Sequence, residues 1–261
     1  MAIVTRKAGA LVYLADEQIP VPHAFTTRLG GVSEGIYESL NLGARLGDDP
    51  AAVAENYDRI AAVLGISEPA IVLSRQVHGD CVRTVRRGDT RDTEADGLVT
   101  DDLGTALAVF TADCIPILLW DAGTGAVGAV HAGWRGTVQD IVGKAVGKLL
   151  AFGADPRTIR AAIGPGIGSC CFETDTDVPQ AVRAVLGDEA ADCIQDKPSG
   201  KAMVNLKEVN RRLLIRAGVP PEQITVAAEC TMCAPDLFWS HRKTEGARGV
   251  QAAIIVRSDR A

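Results

Sequence analysis

Three apolar, strand-like runs in the middle of the chain restrict its fold more than any other feature. They cover residues 106–110, 115–120 and 126–130, and only four or five residues separate one run from the next. A parallel crossover needs about a dozen residues, usually a helix, so links this short do not fit a purely parallel, doubly wound sheet. The pattern therefore predicts a mixed sheet.

Helical patterns alternate with further strand-like runs along the rest of the chain. The predicted helices are residues 50–64, 137–152, 177–186 and 206–217, each of which stops before a glycine. The other predicted strands are residues 10–14, 71–77, 81–85, 159–163, 224–228 and 250–256. Together they predict an α/β fold with mixed sheets. No internal repeat or low-complexity linker interrupts the sequence, so we expect one domain over residues 1–261.

Charge and composition narrow the class of partner. The chain has a formal net charge of −6, whereas a nucleic-acid or anionic-membrane surface would require a basic face. A small molecule is therefore the expected partner. No stretch reaches the roughly 18 apolar residues of a membrane span, and we expect a cytoplasmic protein. The seven cysteines are spaced irregularly, unlike a disulfide framework, so we expect mostly reduced thiols.

Three short motifs contain the strongest candidates for chemistry: RQVHG (75–79), TADC (111–114) and HAGWRG (131–136). They supply His78, Cys114 and His131, which offer two nitrogen donors and one sulfur donor. Zinc accepts such a set and keeps a fourth position open for water or substrate, and copper can bind the same donors. Asp113, a charged residue in an apolar stretch, is a candidate to support a ligand or to move protons.

Each of these residues also has a simpler interpretation. His78 alone would fit a half-buried histidine bonded to a carbonyl, and Cys114 alone would fit a buried structural thiol. His131 ends a strand and opens a glycine-flanked turn before a helix, which together with Arg135 predicts an anion site. The alternative is that the glycines only shape the turn and that Arg135 lies in solvent.

Glycine-rich loops near the N-terminus carry further candidates for substrate binding. Residues 25–33 and 39–43 are polar, and they place Arg28 and Asn41 where both can line a pocket. Arg75, with Arg28 and the arginine of the HAGWRG motif, is a candidate for holding an anion.

Two other motifs carry weaker signals. CTMC (230–233) is a C-x-x-C motif, but no second pair at zinc-ribbon spacing accompanies it, so a structural role is expected rather than redox chemistry or metal binding. Cys170, Cys171 and Cys193 show no signal beyond packing. The run GPGIG (164–168) lacks the spacing of the dinucleotide and P-loop motifs, so neither kind of binding is predicted.

The motifs and their order resemble the YfiH/laccase-domain family, also called multicopper polyphenol oxidase-like or purine nucleoside phosphorylase proteins. The resemblance spans roughly residues 23–256 and rests on FTTR (25–28) with GG (30–31), SLNLG (39–43), QVHG (76–79), ADGLVT (95–100), TADC (111–114), HAGWRG (131–136) and IGP (163–165). It implies two mixed β-sheets between helical layers, an α/β/β/α arrangement. It also implies that His78, Cys114 and His131 bind a metal, usually zinc, at a nucleoside pocket.

The resemblance further implies phosphorolysis of adenosine, inosine, guanosine and methylthioadenosine, adenosine deamination, and a weaker copper-dependent phenol oxidation. Phosphate would be held by one of the three arginines named above. Two positions depart from the family pattern. Tyr57 follows Asn56 where relatives often carry arginine, and SHRK (240–243) stands in place of Ser-Tyr-Arg-Arg. Tyrosine supplies no charge-assisted fork, so the first departure predicts weaker phosphate handling.

Three other functions fit the same residues. A copper-dependent polyphenol oxidase is one, although four histidines are too few for a laccase-type cluster and only a single copper would fit. The second is a metal-free amide or ester hydrolase, with Cys114 as nucleophile and His78 or His131 as its base. The third is a non-catalytic zinc or small-molecule-binding protein, which would require a fourth protein ligand that the sequence does not offer.

Overall fold

Two six-stranded sheets form the centre of the fold in a computed structural model, which describes residues 2–66, 70–90 and 92–259. The ends of the predicted domain, residues 1 and 261, lie outside these ranges. The strands are β1 Ile3–Ala8, β2 Leu11–Asp16, β3 His23–Thr26, β4 Ile71–Val72, β5 Val82–Thr84, β6 Gly97–Thr100, β7 Ala106–Thr111, β8 Ile115–Asp121, β9 Val127–Ala132, β10 Ile159–Ile163, β11 Glu173–Thr174, β12 Ile194–Asp196, β13 Ala202–Val204, β14 Ile224–Val226 and β15 Gln251–Val256. The α-helices are α1 Pro50–Leu64, α2 Trp134–Val138, α3 Ile141–Leu150, α4 Asp177–Leu186, α5 Leu206–Arg216 and α6 His241–Thr244.

Both large sheets are mixed, as predicted. The first sheet has the order β1-β2-β3-β15-β7-β4 and the second has the order β14-β10-β8-β9-β6-β5, while β11, β13 and β12 form a small third sheet. Strand β4 runs parallel to β7, β5 parallel to β6, and β10 parallel to β14. The pairs between β8 and its two neighbours are antiparallel.

The three central strands do not share one sheet. Strands β8 and β9 are antiparallel neighbours in the second sheet, but β7 belongs to the first. Residues 112–114 therefore carry the chain from one sheet to the other. A link of this length cannot hold a helix, but it can bridge the roughly 10 Å between two packed sheets. This step places Asp113 and Cys114 at a sheet-to-sheet crossing.

Alternate side chains of the strands face opposite layers. In β8, Leu118 and Trp120 pack between the two sheets with Leu107 of β7, whereas Ile117 and Leu119 face α3, α4 and α5. Helix α1 covers the outer face of the first sheet. Burial on both faces explains why these strands read as continuous apolar runs. The order of layers is α1, first sheet, second sheet and helices α3 to α5, which confirms the α/β/β/α arrangement.

The helices begin and end at local signals. Helix α1 has proline in its first turn, Asp49 accepts a hydrogen bond from the Ala51 N–H at 2.9 Å, and Gly65 ends it at φ 68°. The helix predicted over residues 137–152 is split into α2 and α3, because Asp140 adopts φ 58° and caps α3 through Gly143. Among the described residues, no helix is long and apolar enough to cross a bilayer.

The strand predicted over residues 71–77 ends after two residues. Beyond it the Gln76 side chain takes the place of a neighbouring strand: its Nε2 donates to the Phe110 carbonyl at 2.8 Å, and its Oε1 accepts from the Phe110 N–H at 2.7 Å. Because the side chain occupies this strand edge, the backbone leaves the sheet and turns towards His78.

The buried imidazole of His23 should make the stability of the fold depend on pH. It is buried in β3, its Nδ1 donates to the Val21 carbonyl and its Nε2 accepts from the Asp16 N–H, both at 2.8 Å. Burial lowers the pKa of His23 below 6.5, although Val21 and Asp16 oppose the shift. As pH falls, the unfolded chain therefore binds a proton at this histidine before the folded chain does. The contribution of the neutral imidazole to the free energy of unfolding is complete above pH 6.5 and is lost as pH falls below it, by up to about 1.4 kcal/mol per pH unit.

The measurement is the free energy of unfolding by urea between pH 5 and pH 8, in the wild type and in His23→Gln. Glutamine can accept from Asp16 and donate to Val21, but it does not titrate. We expect the variant to lose less stability than the wild type below pH 6.5. Equal slopes in the two proteins would show that His23 does not resist protonation.

Candidate metal centre

His78, Cys114 and His131 meet at one point of the structure. Their ligand atoms all lie within 4.8 Å of one another, and the two imidazole rings stand edge to face with centroids 4.8 Å apart. His78 comes from the turn after Gln76, Cys114 from the sheet-to-sheet crossing and His131 from the end of β9. The structure therefore brings together the three residues that the sequence marked as metal ligands.

The backbone is strained at two of the three contributing segments. His78 has φ 59° and Asp113, which precedes Cys114, has φ 90°. Residues with a Cβ rarely adopt such angles, and they persist only where surrounding contacts hold them. Both angles re-aim the chain so that the side chains of His78 and Cys114 can approach His131.

Asp96 holds this arrangement together. Its Oδ1 accepts hydrogen bonds from His131 Nδ1 at 2.7 Å and from the His78 N–H at 2.9 Å. Its Oδ2 accepts from the backbone N–H groups of Val77 and Gly79 at 3.1 and 2.9 Å. One fully buried carboxylate thus fixes the turn of one histidine and the ring of the other, and it leaves His131 Nε2 as the free donor atom.

The electrostatics of the centre favour a thiolate. Burial disfavours the charged form of Cys114, but His131 and His78 outweigh it and lower the pKa of the thiol to about 6. Burial likewise disfavours a charged His131, but Cys114 and Asp96 raise the pKa of its imidazole to about 9. Asp96 is opposed by burial too, yet its bonds to His131 and Gly79 lower the pKa of the carboxyl. Thiolate is the form of cysteine that binds metals.

The space among the three donors is kept open by a glycine. A Cβ on Gly133 would lie 3.2 Å from His78 Cδ2, 3.4 Å from Cys114 Sγ and 3.8 Å from His131 Cε1, in contact with all three ligand side chains. The donors, the carboxylate-bound histidine and this open space fit a borderline-soft divalent ion with three protein ligands and an exchangeable position.

A cavity of about 360 Å³ opens onto the three ligands. Its apolar wall includes Leu42, Leu73, Phe110 and Val250, and its polar wall includes three arginines, Arg45, Arg75 and Arg248. Arg45 pairs with Asp92 at 2.9 Å, and Arg75 pairs with Glu94 at 2.7 Å, both near the surface.

Arg248 is the arginine of the cavity that is most deeply placed. Its Nη1 donates to the Gly249 carbonyl at 3.0 Å, and its Nη2 lies 3.4 Å from His241 Nδ1. Within the described part of the chain its Nε is buried without a hydrogen-bond partner. A buried, unpaired N–H is costly, and Arg248 also lines the cavity, so its guanidinium is a candidate to bind an anion there.

The sequence analysis missed both Asp96 and Arg248. Asp96 lies in the ADGLVT motif and had a signal, because a carboxylate immediately before a fully buried strand requires a partner. Arg248 lies in a run of charged and small residues that resembles an ordinary loop. It reaches the cavity because the strand that follows it, β15, lies between β3 and β7 in the first sheet.

All four substrate-binding candidates have other contacts. Arg28 donates to the carbonyls of Glu38 and Pro235 and lies over the Trp239 ring. Arg135 is exposed and stacks on its neighbour Trp134, 4.4 Å from the ring centroid. Neither arginine is among the described residues that line the cavity of about 360 Å³, whereas Arg75 is.

Asn41, the fourth candidate, is fully buried and supports the cavity wall instead of lining it. Its Oδ1 accepts from the N–H groups of Gly43 and Val250 at 2.9 and 3.0 Å, and its Nδ2 donates to Asp48. Gly43 and Val250 both line the cavity, so Asn41 joins two parts of its wall.

Asp113 is next to the metal centre, but its carboxylate is engaged elsewhere. It accepts from Thr231 Oγ1 at 2.6 Å, from Ser240 Oγ at 3.0 Å and from the Arg242 N–H at 2.7 Å. These contacts tie two distant loops to the corner that carries Cys114. They favour a positioning role over proton transfer.

A second, smaller cavity of about 150 Å³ borders the other side of Cys114. His241, one of the departures from the family pattern, lines it together with Trp134 and Phe172. Tyr57, the other departure, lines the larger cavity and donates from its hydroxyl to the Leu42 carbonyl at 3.0 Å. Both departures therefore lie at the site.

The four histidines do not gather at one place. His78 and His131 share the metal centre, whereas His23 is bonded inside β3 and His241 borders the smaller cavity. A multi-copper cluster requires many histidines in one place, so these residues hold at most one ion of the laccase type.

Sequence comparisons show the family to which the chain belongs. A family model described as multi-copper polyphenol oxidoreductase laccase matches residues 22–258. A purine nucleoside phosphorylase of Deinococcus radiodurans is 41% identical over 249 residues, covering 95% of this chain and 94% of that protein. The purine nucleoside phosphorylase YlmD of Geobacillus stearothermophilus is 38% identical over 248 residues, covering 90% of this chain and 89% of that protein.

Solved structures agree with these matches. YlmD from Geobacillus stearothermophilus superimposes with a TM-score of 0.93 and 35% identity, covering 99% of this chain and 100% of that one. The Bacillus licheniformis hypothetical protein YfiH superimposes with a TM-score of 0.91 and 35% identity, covering 97% and 98%. By sequence, by fold and by its motifs, the chain belongs to the multi-copper polyphenol oxidoreductase laccase family, the family of YfiH and YlmD.

Proposed function

We propose that this chain is a zinc-dependent purine nucleoside phosphorylase. Its substrates are adenosine, inosine, guanosine or methylthioadenosine, its products are the free base and the ribose 1-phosphate, and it also deaminates adenosine. The observation that carries the proposal is the meeting of three candidate metal ligands beside a cavity with arginine and apolar walls. The names of relatives that are 38% and 41% identical support it.

His78, Cys114 and His131 would hold the zinc ion. When bound, zinc supplies Lewis-acid polarisation of a water or of a substrate oxygen. Asp96 keeps the ring of His131 in one tautomer and orientation, so that the donor set is preorganised before the ion arrives. Copper would use the same donors.

The apolar wall of the larger cavity suits a purine base. Phe110 and Tyr57 offer aromatic rings, and Leu42, Leu73 and Val250 add apolar contact. Flat heteroaromatic rings bind well to such surfaces through stacking and burial. A volume of about 360 Å³ falls within the range of small-molecule sites.

Arg248 is the proposed phosphate-binding residue. Its Nε is buried and unpaired among the described residues, whereas Arg75 would first have to leave Glu94. In phosphorolysis, a phosphate oxygen bonds to ribose C1′ as the C1′–N9 bond breaks, the electron pair leaves with the base, and the base takes up a proton. A guanidinium that holds the phosphate against C1′ lowers the entropic part of this barrier.

A metal-free hydrolase is the second candidate, because Asp96, His131 and Cys114 form a carboxylate–imidazole–thiol series. The Asp96–His131 bond of 2.7 Å and the low pKa of Cys114, about 6, both suit a nucleophile. Such a series needs one histidine, however. The convergence of His78 on the same thiol favours metal binding.

The decisive experiment assays the purified protein with each nucleoside, with and without phosphate, before and after chelation. Ribose 1-phosphate that forms only with phosphate, and activity that zinc restores after chelation, would support the proposal. Inosine formed from adenosine reports deamination. Turnover that survives chelation and is blocked by iodoacetamide would establish the cysteine hydrolase instead, and phenol oxidation that follows copper occupancy would establish the oxidase.

Replacing Arg248 with methionine tests the phosphate site. We expect the KM for phosphate to rise about 10- to 100-fold, because a charge-assisted hydrogen bond is worth about 1.5–3 kcal/mol. The KM for nucleoside should change far less. Arg135→Met, an exposed arginine stacked on Trp134, is the matched control and should change the phosphate KM less than about two-fold. A larger rise in the phosphate KM for Arg135→Met than for Arg248→Met would place the phosphate at helix α2 instead.

A further inference from the structure

Four cysteines gather at a second place, outside the metal centre described above. The Sγ atoms of Cys170, Cys171, Cys230 and Cys233 all lie within 4.8 Å of one another. Cys170 and Cys171 follow the glycine-rich run after β10, and Cys230 and Cys233 form the C-x-x-C motif after β14. Cys170 and Cys171, for which the sequence showed no signal beyond packing, therefore lie in one group with the C-x-x-C motif.

The missing pair escaped the sequence analysis because its spacing is unusual. Zinc ribbons use two C-x-x-C units, whereas here one unit is a pair of adjacent cysteines. Strands β10 and β14 run parallel and side by side, so the loops that follow them leave the sheet at the same edge. This topology brings two cysteine pairs together that are far apart in the chain.

The sulfur geometry fits a tetrahedral metal site. All four thiols are free, and the Cys233 Sγ lies 3.5 Å from Cys170 Sγ and 3.3 Å from Cys171 Sγ. A tetrahedron with zinc–sulfur bonds of about 2.3 Å has sulfur atoms about 3.8 Å apart, whereas a disulfide requires about 2.05 Å. These two sulfur–sulfur distances are thus closer to the metal geometry than to a disulfide.

Backbone hydrogen bonds surround Cys230 as they do in metal-thiolate turns. Cys230 Sγ accepts a hydrogen bond from the Gly168 N–H at 3.1 Å. The N–H groups of Cys233 and Ala234 donate to the Cys230 carbonyl, both at 3.1 Å, which closes the turn. Such N–H bonds stabilise negative charge on sulfur.

A buried cation lies beside the cluster. The Lys207 ammonium is largely buried, donates to the carbonyls of Ala227 and Glu229 at 2.8 and 2.6 Å, and interacts electrostatically with Cys230 and Cys170. Four thiolates around a divalent ion carry a net charge of −2. A lysine bonded to the loop that carries Cys230 would offset part of that charge.

We propose that Cys170, Cys171, Cys230 and Cys233 form a second, structural zinc site. Four soft sulfur donors in a closed tetrahedral set select zinc and leave no open position for substrate. Binding replaces the remaining thiol protons with one zinc ion and involves no change in oxidation state. The site cross-links the loop after β10 to the loop after β14.

The cross-link lies behind the corner that carries Cys114. Thr231, inside the C-x-x-C motif, donates to Asp113 at 2.6 Å, and the Ile167 N–H donates to the Asp113 carbonyl at 2.8 Å. Both loops that the second zinc would join therefore contact the residue that precedes Cys114. Loading this site should stiffen the support of the first metal centre.

The test is metal analysis of the full chain, purified under reducing conditions and loaded with zinc. We expect about two zinc ions per chain in the wild type and about one in Cys170→Ser/Cys233→Ser. Cys81→Ser, which replaces an exposed thiol outside both clusters, is the matched control and should keep both. A single ion in the wild type that is lost with Cys114→Ala would overturn the proposal.

Cobalt substitution gives a spectroscopic signature that does not depend on activity. With four thiolates at this site and one at the first, the sulfur-to-cobalt charge-transfer absorption should fall about five-fold in the double variant. An unchanged spectrum would contradict the proposal.

Thiol labelling of the wild type covers the case in which the double variant does not fold. Zinc should slow alkylation of the exposed Cys170 and Cys233 at least about ten-fold, while Cys81 reacts at the same rate with and without zinc. Equal rates at Cys170 and Cys233, or a disulfide between them in reduced preparations, would refute a metal site.

Discussion

Replacing Cys114 with alanine is expected to abolish turnover and to remove one zinc ion per chain. The variant keeps His78 and His131 but loses the only sulfur donor of the centre. Metal catalysis typically contributes several kcal/mol to transition-state stabilisation, so kcat/KM should fall by about three orders of magnitude or more. Turnover and zinc content by mass spectrometry are measured on the same sample.

The control for this variant is Cys81→Ala, which removes an exposed thiol elsewhere and should leave both readouts unchanged. Loss of zinc with full turnover would show that the metal has no role in catalysis. If the variant loses turnover but retains its zinc, and the wild-type protein stays active after chelation, then Cys114 acts as a nucleophile. The two results separate a ligand from a nucleophile at the same sulfur atom.

Replacing Asp96 with asparagine is expected to weaken zinc binding about 10- to 100-fold and to lower the free energy of unfolding by about 2–4 kcal/mol. The carboxylate accepts from His131 Nδ1 and from three backbone N–H groups, those of residues 77 to 79. An amide of the same shape must turn an NH₂ group towards some of these donors. The histidine then loses its fixed orientation, and the strained turn at His78 loses its anchor.

Asp113→Asn is the matched comparison for Asp96→Asn. Asp113 is also buried and accepts three hydrogen bonds, but its donors belong to Thr231, Ser240 and Arg242 and not to a candidate metal ligand. We expect a similar loss of stability and a smaller loss of zinc affinity. The measurements are urea unfolding and competition with a chromophoric chelator. Equal effects on zinc affinity would indicate that Asp96 acts only through stability.

Much of the architecture followed from local patterns. Helices Pro50–Leu64 and Asp177–Leu186 and strand Ile159–Ile163 have the predicted bounds, because caps, glycine stops and apolar periodicity are encoded within a few residues. Strands β1, β3, β6, β11, β12 and β13 were missed, since they are short or lie between polar turns. The split between α2 and α3 depends on the left-handed backbone of Asp140, which no side-chain pattern announces.

The three candidate metal ligands were identified from residue type alone. Histidine and cysteine at motif corners are rare in a chain with four histidines, and their donor chemistry selects the same small group of metals in any fold. The family resemblance, carried by the same motifs, supplied the layered arrangement that the fold confirms.

Contacts between residues that are far apart in the sequence depend on tertiary packing. The Asp96–His131 bond joins residues 35 apart in sequence, and Arg248 reaches the cavity only because β15 returns between β3 and β7. Likewise, the four-cysteine cluster exists only because β10 and β14 lie side by side. Local sequence specifies which atoms a residue can offer, whereas the meeting of residues from distant segments depends on sheet order, a property of the whole chain.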